Sequence, residues 1–191
     1  MNKKFEFTGE EKIFNGITLK RIKAKISFRN VLQGEVGGWI EKEENLSGYD
    51  NAWVYGGTKV YGNAEVFGNA EVYGNAKVCG NAKVCGNAEV FGNAKVCSNA
   101  KVCGNAEVCG NAEVRKTRDT ISFTKVGSRN DTLTAFKTKM GFSIKVGCFL
   151  GNLELFLEKV QETHGDNQFA KEYRLIAEVI KARFSEGDKD E

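Results

Sequence analysis

VYGNAEVFGNAEVYGNAKV, residues 60–78, holds consecutive copies of a six-residue phrase, V-[Y/F/C]-G-N-A-[K/E], that runs from Val54 to Val114. Valine occupies every sixth position: Val54, Val60, Val66, Val72, Val78, Val84, Val90, Val96, Val102, Val108 and Val114. Alanine stands two residues before most of them, as at Ala64, Ala70 and Ala76. Alternate residues of an extended chain share a face, so each phrase reads as a very short strand with a small and a branched apolar residue on one side. Gly62 and Asn63, with their equivalents, are residue types that tolerate positive φ, which predicts a corner between strands. No hexapeptide can bury its own valine, so the units must wind into coils and stack.

The phrase resembles the hexapeptide repeat of left-handed parallel β-helices. That resemblance implies three-sided coils of about eighteen residues per turn, with the aliphatic and the small residue both inward. It also implies the left hand, against the right-handed rule for ordinary parallel crossovers. The stretch GGWIEKEENL at Gly37 to Leu46, the YGNAxV array, and THGDNQFAKEY at Thr163 to Tyr173 are together similar to uncharacterised open reading frames of phages and prophages. The similarity spans nearly the whole chain. It implies a phage or prophage source and no particular activity.

With that turn length, coils stack about 4.8 Å apart and the last residue of each unit forms three outward ridges. One reads Lys59, Lys77, Lys95, Glu113; the second Glu65, Lys83, Lys101; the third Glu71, Glu89, Glu107. Like charges opposite one another across strands are destabilising. The segregation therefore predicts complementary surfaces, for example a threefold homo-oligomer that pairs the acidic ridge of one subunit with the basic ridge of the next. The competing reading is repeat duplication, with the charges solvated and screened.

Composition narrows the class. The chain has 191 residues, a net charge of +3 and no proline. That length leaves room for small modules beside the solenoid but not for a large catalytic domain, and that charge does not by itself argue for nucleic acid. No apolar run approaches the roughly 20 residues of a transmembrane helix, and the first residues lack the apolar core of a signal peptide, so a cytoplasmic location without membrane contact is expected. Cys79, Cys85, Cys97, Cys103 and Cys109 fill the repeat slot held elsewhere by Tyr or Phe. Stacking brings Cys79 over Cys97 and Cys85 over Cys103, within disulfide reach at Cα. Strand neighbours usually hold their β-carbons too far apart for a bond, so packed free thiols are expected. No CxxC or Cys/His spacing suggests zinc, and no cofactor is expected.

Segments flank the array on both sides. Residues 1–46 read as a β-rich cap, with a hairpin at Asn15-Gly16 and Trp39 and Ile40 covering the open end of the coil. Gly34, Gly37 and Gly38 lack the spacing of a nucleotide loop. The array fills 47–114. Residues 115–184 read as three strands (121–126, 132–137, 142–146) and two helices, the first capped by Asn152 and stopped by Gly165, the second capped by Asp166. Residues 185–191 are charged and expected to be disordered. The expected fold is mainly β: a left-handed parallel β-helix, a hexapeptide solenoid, between a small N-terminal β module and a C-terminal α+β module of order βββαα.

Function is less constrained. Lys125, Arg129, Lys137, Lys139 and Lys145 make the C-terminal strands basic, a pattern able to follow a phosphate backbone, with Phe123 or Phe136 placed to stack on bases. Hexapeptide acyltransferases use a histidine base, and related carbonic anhydrases hold zinc with three histidines. This chain has one histidine, His164, outside the array, so three-histidine zinc is excluded and an acyltransferase-like trimer would rest on His164 alone. Threonine ladders for ice are absent, and the array balances Lys against Glu, unlike a DNA mimic. The reading that remains is a non-enzymatic accessory interaction protein. Because small accessory phage proteins often act on host machinery, the expected role is to bind and block or sequester a host protein, for example an antiviral defence component.

Overall fold

The computed structural model describes residues 2–185; the expected disordered tail, 185–191, falls almost wholly outside them. A hairpin opens the chain, β1 (Phe5–Phe14) and β2 (Ile17–Ala24), followed by β3 (Val36–Ile40). Two-residue strands, β4 to β14, then run from Trp53–Val54 to Glu113–Val114, each ending on one of the repeat valines. They pair in parallel with the strand eighteen residues on, for example Val78 with Val96 and Val84 with Val102. The result is a parallel β-solenoid of roughly four turns, from Ile40 through Val60, Val78 and Val96 to Val114. The repeat valines are fully buried and the repeat alanines nearly so, in one continuous core.

Glycine and asparagine divide the corner between them. Gly62 to Gly92 all have positive φ, whereas none of the repeat asparagines does. The asparagines instead form carboxamide ladders: Asn51 donates to Asn69 (3.0 Å), Asn69 to Asn87 (3.0 Å) and Asn87 to Asn105 (3.0 Å). Glycine is required twice over. A Cβ on Gly86 would lie 2.9 Å from the backbone N of Gly104 one coil on, while Gly104 itself faces open space. Ser98, at φ 57, stands in the same corner slot near the end of the array.

The N-terminal module continues the solenoid edge to edge. β2 pairs antiparallel with β3, and β3 pairs in parallel with Lys59–Val60. One sheet of seven strands therefore runs from the hairpin down a face of the rod. The Asn15-Gly16 turn has positive φ at both residues, 50° and 79°, the twist-matched hairpin turn. The ladders reach back to Ile40 and Leu46, which pairs with Val66. Trp39 and Ile40 do not cover the coil mouth. Ile40 is a rung of the core and Trp39 lies on the outer face; Trp53, in register with Glu71 on another sheet, is fully buried and packs with Phe28 at 5.5 Å between ring centroids. A Cβ on Gly37 would lie 2.7 Å from Ile22 and 2.8 Å from Trp53, so glycine there admits the packing.

The other end is closed differently. β15 (Thr120–Val126), β16 (Asp131–Thr138), β17 (Gly141–Val146) and β18 (Phe149–Gly151) form an antiparallel sheet, then α1 (Leu153–His164) and α2 (Gln168–Ser185) follow. The fourth strand is an addition to the expected three, made by the tight turn at Gly147-Cys148. β16 crosses the last coil. Phe136 is fully buried in the solenoid core, Thr138 bridges Ala112, and the Glu107 N–H donates to Thr134 Oγ1 at 3.0 Å. Leu133, Ala135 and Ile144 pack with Phe156, Val160, Tyr173 and Ile180 in a second core. Asn152 caps α1 through a bond from Leu155 N–H (2.9 Å), and Gly165 ends it. Asn167, rather than Asp166, caps α2: its Oδ1 accepts from Phe169 (2.9 Å) and Ala170 (3.0 Å), while Asp166 pairs with Arg174 (3.1 Å).

Candidate interaction surface on the outer sheet face

The three outward ridges form as the eighteen-residue register requires. Lys59, Lys77, Lys95 and Glu113 are direct neighbours; so are Glu65, Lys83 and Lys101; so are Glu71, Glu89 and Glu107. The first continues into the N-terminal module, where Lys59 pairs with Trp39 and Trp39 with Arg21. A single row, Arg21, Trp39, Lys59, Lys77, Lys95, Glu113, thus crosses six strands of one sheet.

Side chains from β1 complete this face. Lys12 pairs with Leu19 and Phe14 with Ile17, residues that share a face with Arg21 by alternation. The Lys12 ammonium lies 3.8 Å and the Arg21 guanidinium 5.2 Å from the Trp39 ring centre. Lys59 and Lys77 lie 5.3 Å and 5.0 Å from that of Phe14, which packs edge-on against Tyr61. Leu19 is fully buried beneath the layer. The cations crowd one another. Burial, then Lys59 and Arg21, push the Lys12 ammonium down to about 8, and burial and Lys77 lower Lys59. Glu10 approaches Arg21 at 3.6 Å and Glu113 bonds Lys95 at 3.0 Å; Lys12, Lys59 and Lys77 have no carboxylate partner among the described residues.

On the acidic ridge every carboxylate is occupied from within the chain. Arg29 bonds Glu71 (3.0 Å), the Tyr73 hydroxyl donates to Glu89 (2.6 Å), and Lys145 bonds Glu107 (2.8 Å). Burial and that bond raise the Tyr73 phenol. A trimer built on acidic-to-basic ridge pairing would have to break the two outer bridges. On the mixed ridge Lys83 bonds Glu65 at 3.0 Å.

The five basic residues of the C-terminal strands do not form one face. Lys145 turns to Glu107, Lys139 approaches Glu113 (4.0 Å), and Lys137 approaches Asp119 (3.6 Å), all carboxylates of the last coil and its exit. Lys125 and Arg129 are exposed. Phe136, fully buried, has no surface to offer a base, and Phe123 packs against the helices. His164 packs its ring against Phe169 and Tyr173, at 5.9 Å and 5.7 Å.

The cysteine slots depart from the expectation of free thiols. Cys85 and Cys103 are joined by a disulfide, their Cα atoms 4.6 Å apart; at this corner the coil spacing itself falls inside disulfide range. Cys79, Cys97, Cys109 and Cys148 are reduced.

No protein-family model and no curated protein matches this chain. The surface therefore has to be read from its own chemistry. Sequence reasoning found Lys59, Lys77 and Lys95 but missed Lys12, Phe14, Arg21 and Trp39 as their neighbours. The alternation in 12–21 was visible; that β3 aligns with the first coil was not. Among the described residues no helix is long and apolar enough to cross a membrane.

Proposed function

We propose that this protein is a non-catalytic interaction protein whose outer sheet face binds an acidic surface of a partner protein. The observation that carries the reading is the cluster of Lys12, Lys59 and Lys77, cations without carboxylate partners among the described residues, laid over Trp39 and Phe14. Crowded like charges hold electrostatic free energy that an anionic partner relieves. A sheet face with aromatic anchors supplies apolar area at the same place. The resemblance to phage and prophage sequences supports a host protein as partner, with an antiviral defence component as the leading candidate, bound and blocked or sequestered. The solenoid serves this reading as a rigid mount, because its core runs unbroken from Phe5 to Phe136.

A second reading has its own support. Cations interleaved with part-exposed aromatic rings also suit single-stranded nucleic acid, on this sheet face and not on the C-terminal strands.

Affinity capture from nuclease-treated host lysate separates the two, with the wild-type chain beside a Lys12→Gln, Lys59→Gln, Lys77→Gln variant. The protein-partner reading expects a stoichiometric protein that survives nuclease and is retained at least about tenfold less by the variant. Capture that disappears with nuclease and falls steeply with salt moves the assignment to nucleic acid. Equal capture by both chains removes this face from the function.

A further inference from the structure

The corner slot after each valine holds Tyr61, Cys79 and Cys97 on one edge of the rod and Phe67, Cys85 and Cys103 on another. The two cysteine pairs stand in the same relation. Val78 pairs with Val96 as Val84 does with Val102; Cys79 N–H donates to Val96 O at 2.9 Å as Cys85 N–H does to Val102 O at 2.9 Å. One pair is bonded and the other is an open dithiol, both of its cysteines part-exposed. Two residues before these thiols stand Lys77 and Lys95, on the basic face described above.

We propose that Cys79 and Cys97 form a thiol–disulfide exchange site for small anionic disulfides, with Cys79 as the attacking sulfur and Cys97 as the resolving one. The neighbours set the roles. Cys79 stands in the stack between Tyr61 and Cys97; the neighbouring Cys97 thiol, then the Tyr61 hydroxyl and the Lys77 charge, hold the Cys79 thiol below the ordinary cysteine range against burial. The neighbouring Cys79, with burial, pushes Cys97 up. A thiolate attacks and a thiol waits. In the first step the Cys79 thiolate attacks one sulfur of R–S–S–R: that bond breaks, Cys79–S–S–R forms, and RS⁻ leaves and takes up a proton. Cys97 then gives its proton to solvent and its sulfur attacks that of Cys79. The bond to R breaks, the Cys79–Cys97 bond forms, and the second RS⁻ leaves. The protein loses two electrons and the small disulfide gains them. Coil spacing permits the product, since the Cα separation of 4.6 Å at the bonded pair lies within disulfide range.

The sequence makes the two proposed thiols separately readable. Trypsin releases Cys79 in VCGNAK (78–83), Cys97 in VCSNAK (96–101), and Cys85 and Cys103 in 84–95 and 102–115. The experiment treats the full chain, purified without reductant, with oxidised glutathione, alkylates the remaining thiols, and maps the peptides. Expected are peptides 78–83 and 96–101 joined by a disulfide in the wild-type chain. Cys97→Ser carries one glutathione on Cys79, Cys79→Ser carries none on Cys97, and both variants keep the far-ultraviolet circular dichroism of the wild type. Glutathione disulfide, an anion, reacts roughly threefold or more faster than the cationic disulfide cystamine. Separate alkylated peptides from the treated wild-type chain overturn the proposal, as does glutathione on Cys97 in Cys79→Ser with none on Cys79 in Cys97→Ser. Equal rates with the two disulfides overturn the anionic preference.

Discussion

The acidic ladder, Glu71, Glu89 and Glu107, and the basic ladder, Lys59, Lys77 and Lys95, are built from the same phrase in the same register, yet the molecule treats them oppositely. At its two ends the acidic ladder receives Arg29 from the N-terminal module and Lys145 from the C-terminal sheet, with Tyr73 on the middle carboxylate. The basic ladder receives one carboxylate, Glu113, and then two more cations, Lys12 and Arg21, over Trp39. A ladder of like charge costs stability unless something of opposite sign is brought to it. The end modules use the acidic ladder as an attachment and add to the repulsion on the basic one. The difference separates a structural charge row from a surface placed for an outside partner.

Breaking the clamp on the acidic side should cost most. Phe136→Ala leaves a cavity where β16 enters the solenoid core and is expected to lower unfolding stability by about 3–5 kcal/mol, read by urea denaturation. A loss below about 1 kcal/mol would mean that the sheet does not plug the coil. Lys145→Met keeps the apolar stem but strands Glu107, with an expected cost of about 1–3 kcal/mol; a thermal midpoint equal to wild type would show that Glu107 needs no counter-charge. Arg29→Ala removes the more exposed partner at the other end. About 0.5–1 kcal/mol is expected there, and a double-mutant cycle with Glu71→Gln isolates the pair.

The basic side should respond with the opposite sign. The Lys12 ammonium is held at about 8, against about 10.4 in an unfolded chain. Below pH 8 it is charged in both states and its charge weakens the fold. Between about 8 and about 10.4 the unfolded chain binds the extra proton, so this penalty fades as pH rises and is absent above that range. Lys12→Gln is therefore expected to be slightly more stable than wild type at pH 7, with the gap closing by pH 11. Chemical denaturation at both values decides it, and a variant less stable at pH 7 would refute the crowding account.

Much of this comparison was legible in the sequence. A six-residue period with valine and alanine two apart requires coils that stack; the eighteen-residue turn, and with it the three ridges and the stacked cysteine pairs, followed from the resemblance to hexapeptide β-helices. Asn152 and Gly165 announced α1 by their own chemistry. The misreadings share a cause. Trp39 looked like a lid and Phe136 like a base-stacking ring because an aromatic side chain declares that it must be covered or used, without saying by what. Asp166 and Asn167 are equally good caps in a one-dimensional reading, and the bond to Arg174 decides between them. Gly147-Cys148 was too short a signal to reveal β18.

What the sequence determined by itself was the local repeat: where the chain turns and which residues point inward, because each depends only on neighbours within a coil. What the tertiary structure decided was which charges remain uncompensated. That depends on where the two flanking modules dock, on Arg29 and Lys145 meeting carboxylates and on Lys12 meeting Lys59. These contacts join segments whose separation along the chain follows no period, so only the folded arrangement fixes them.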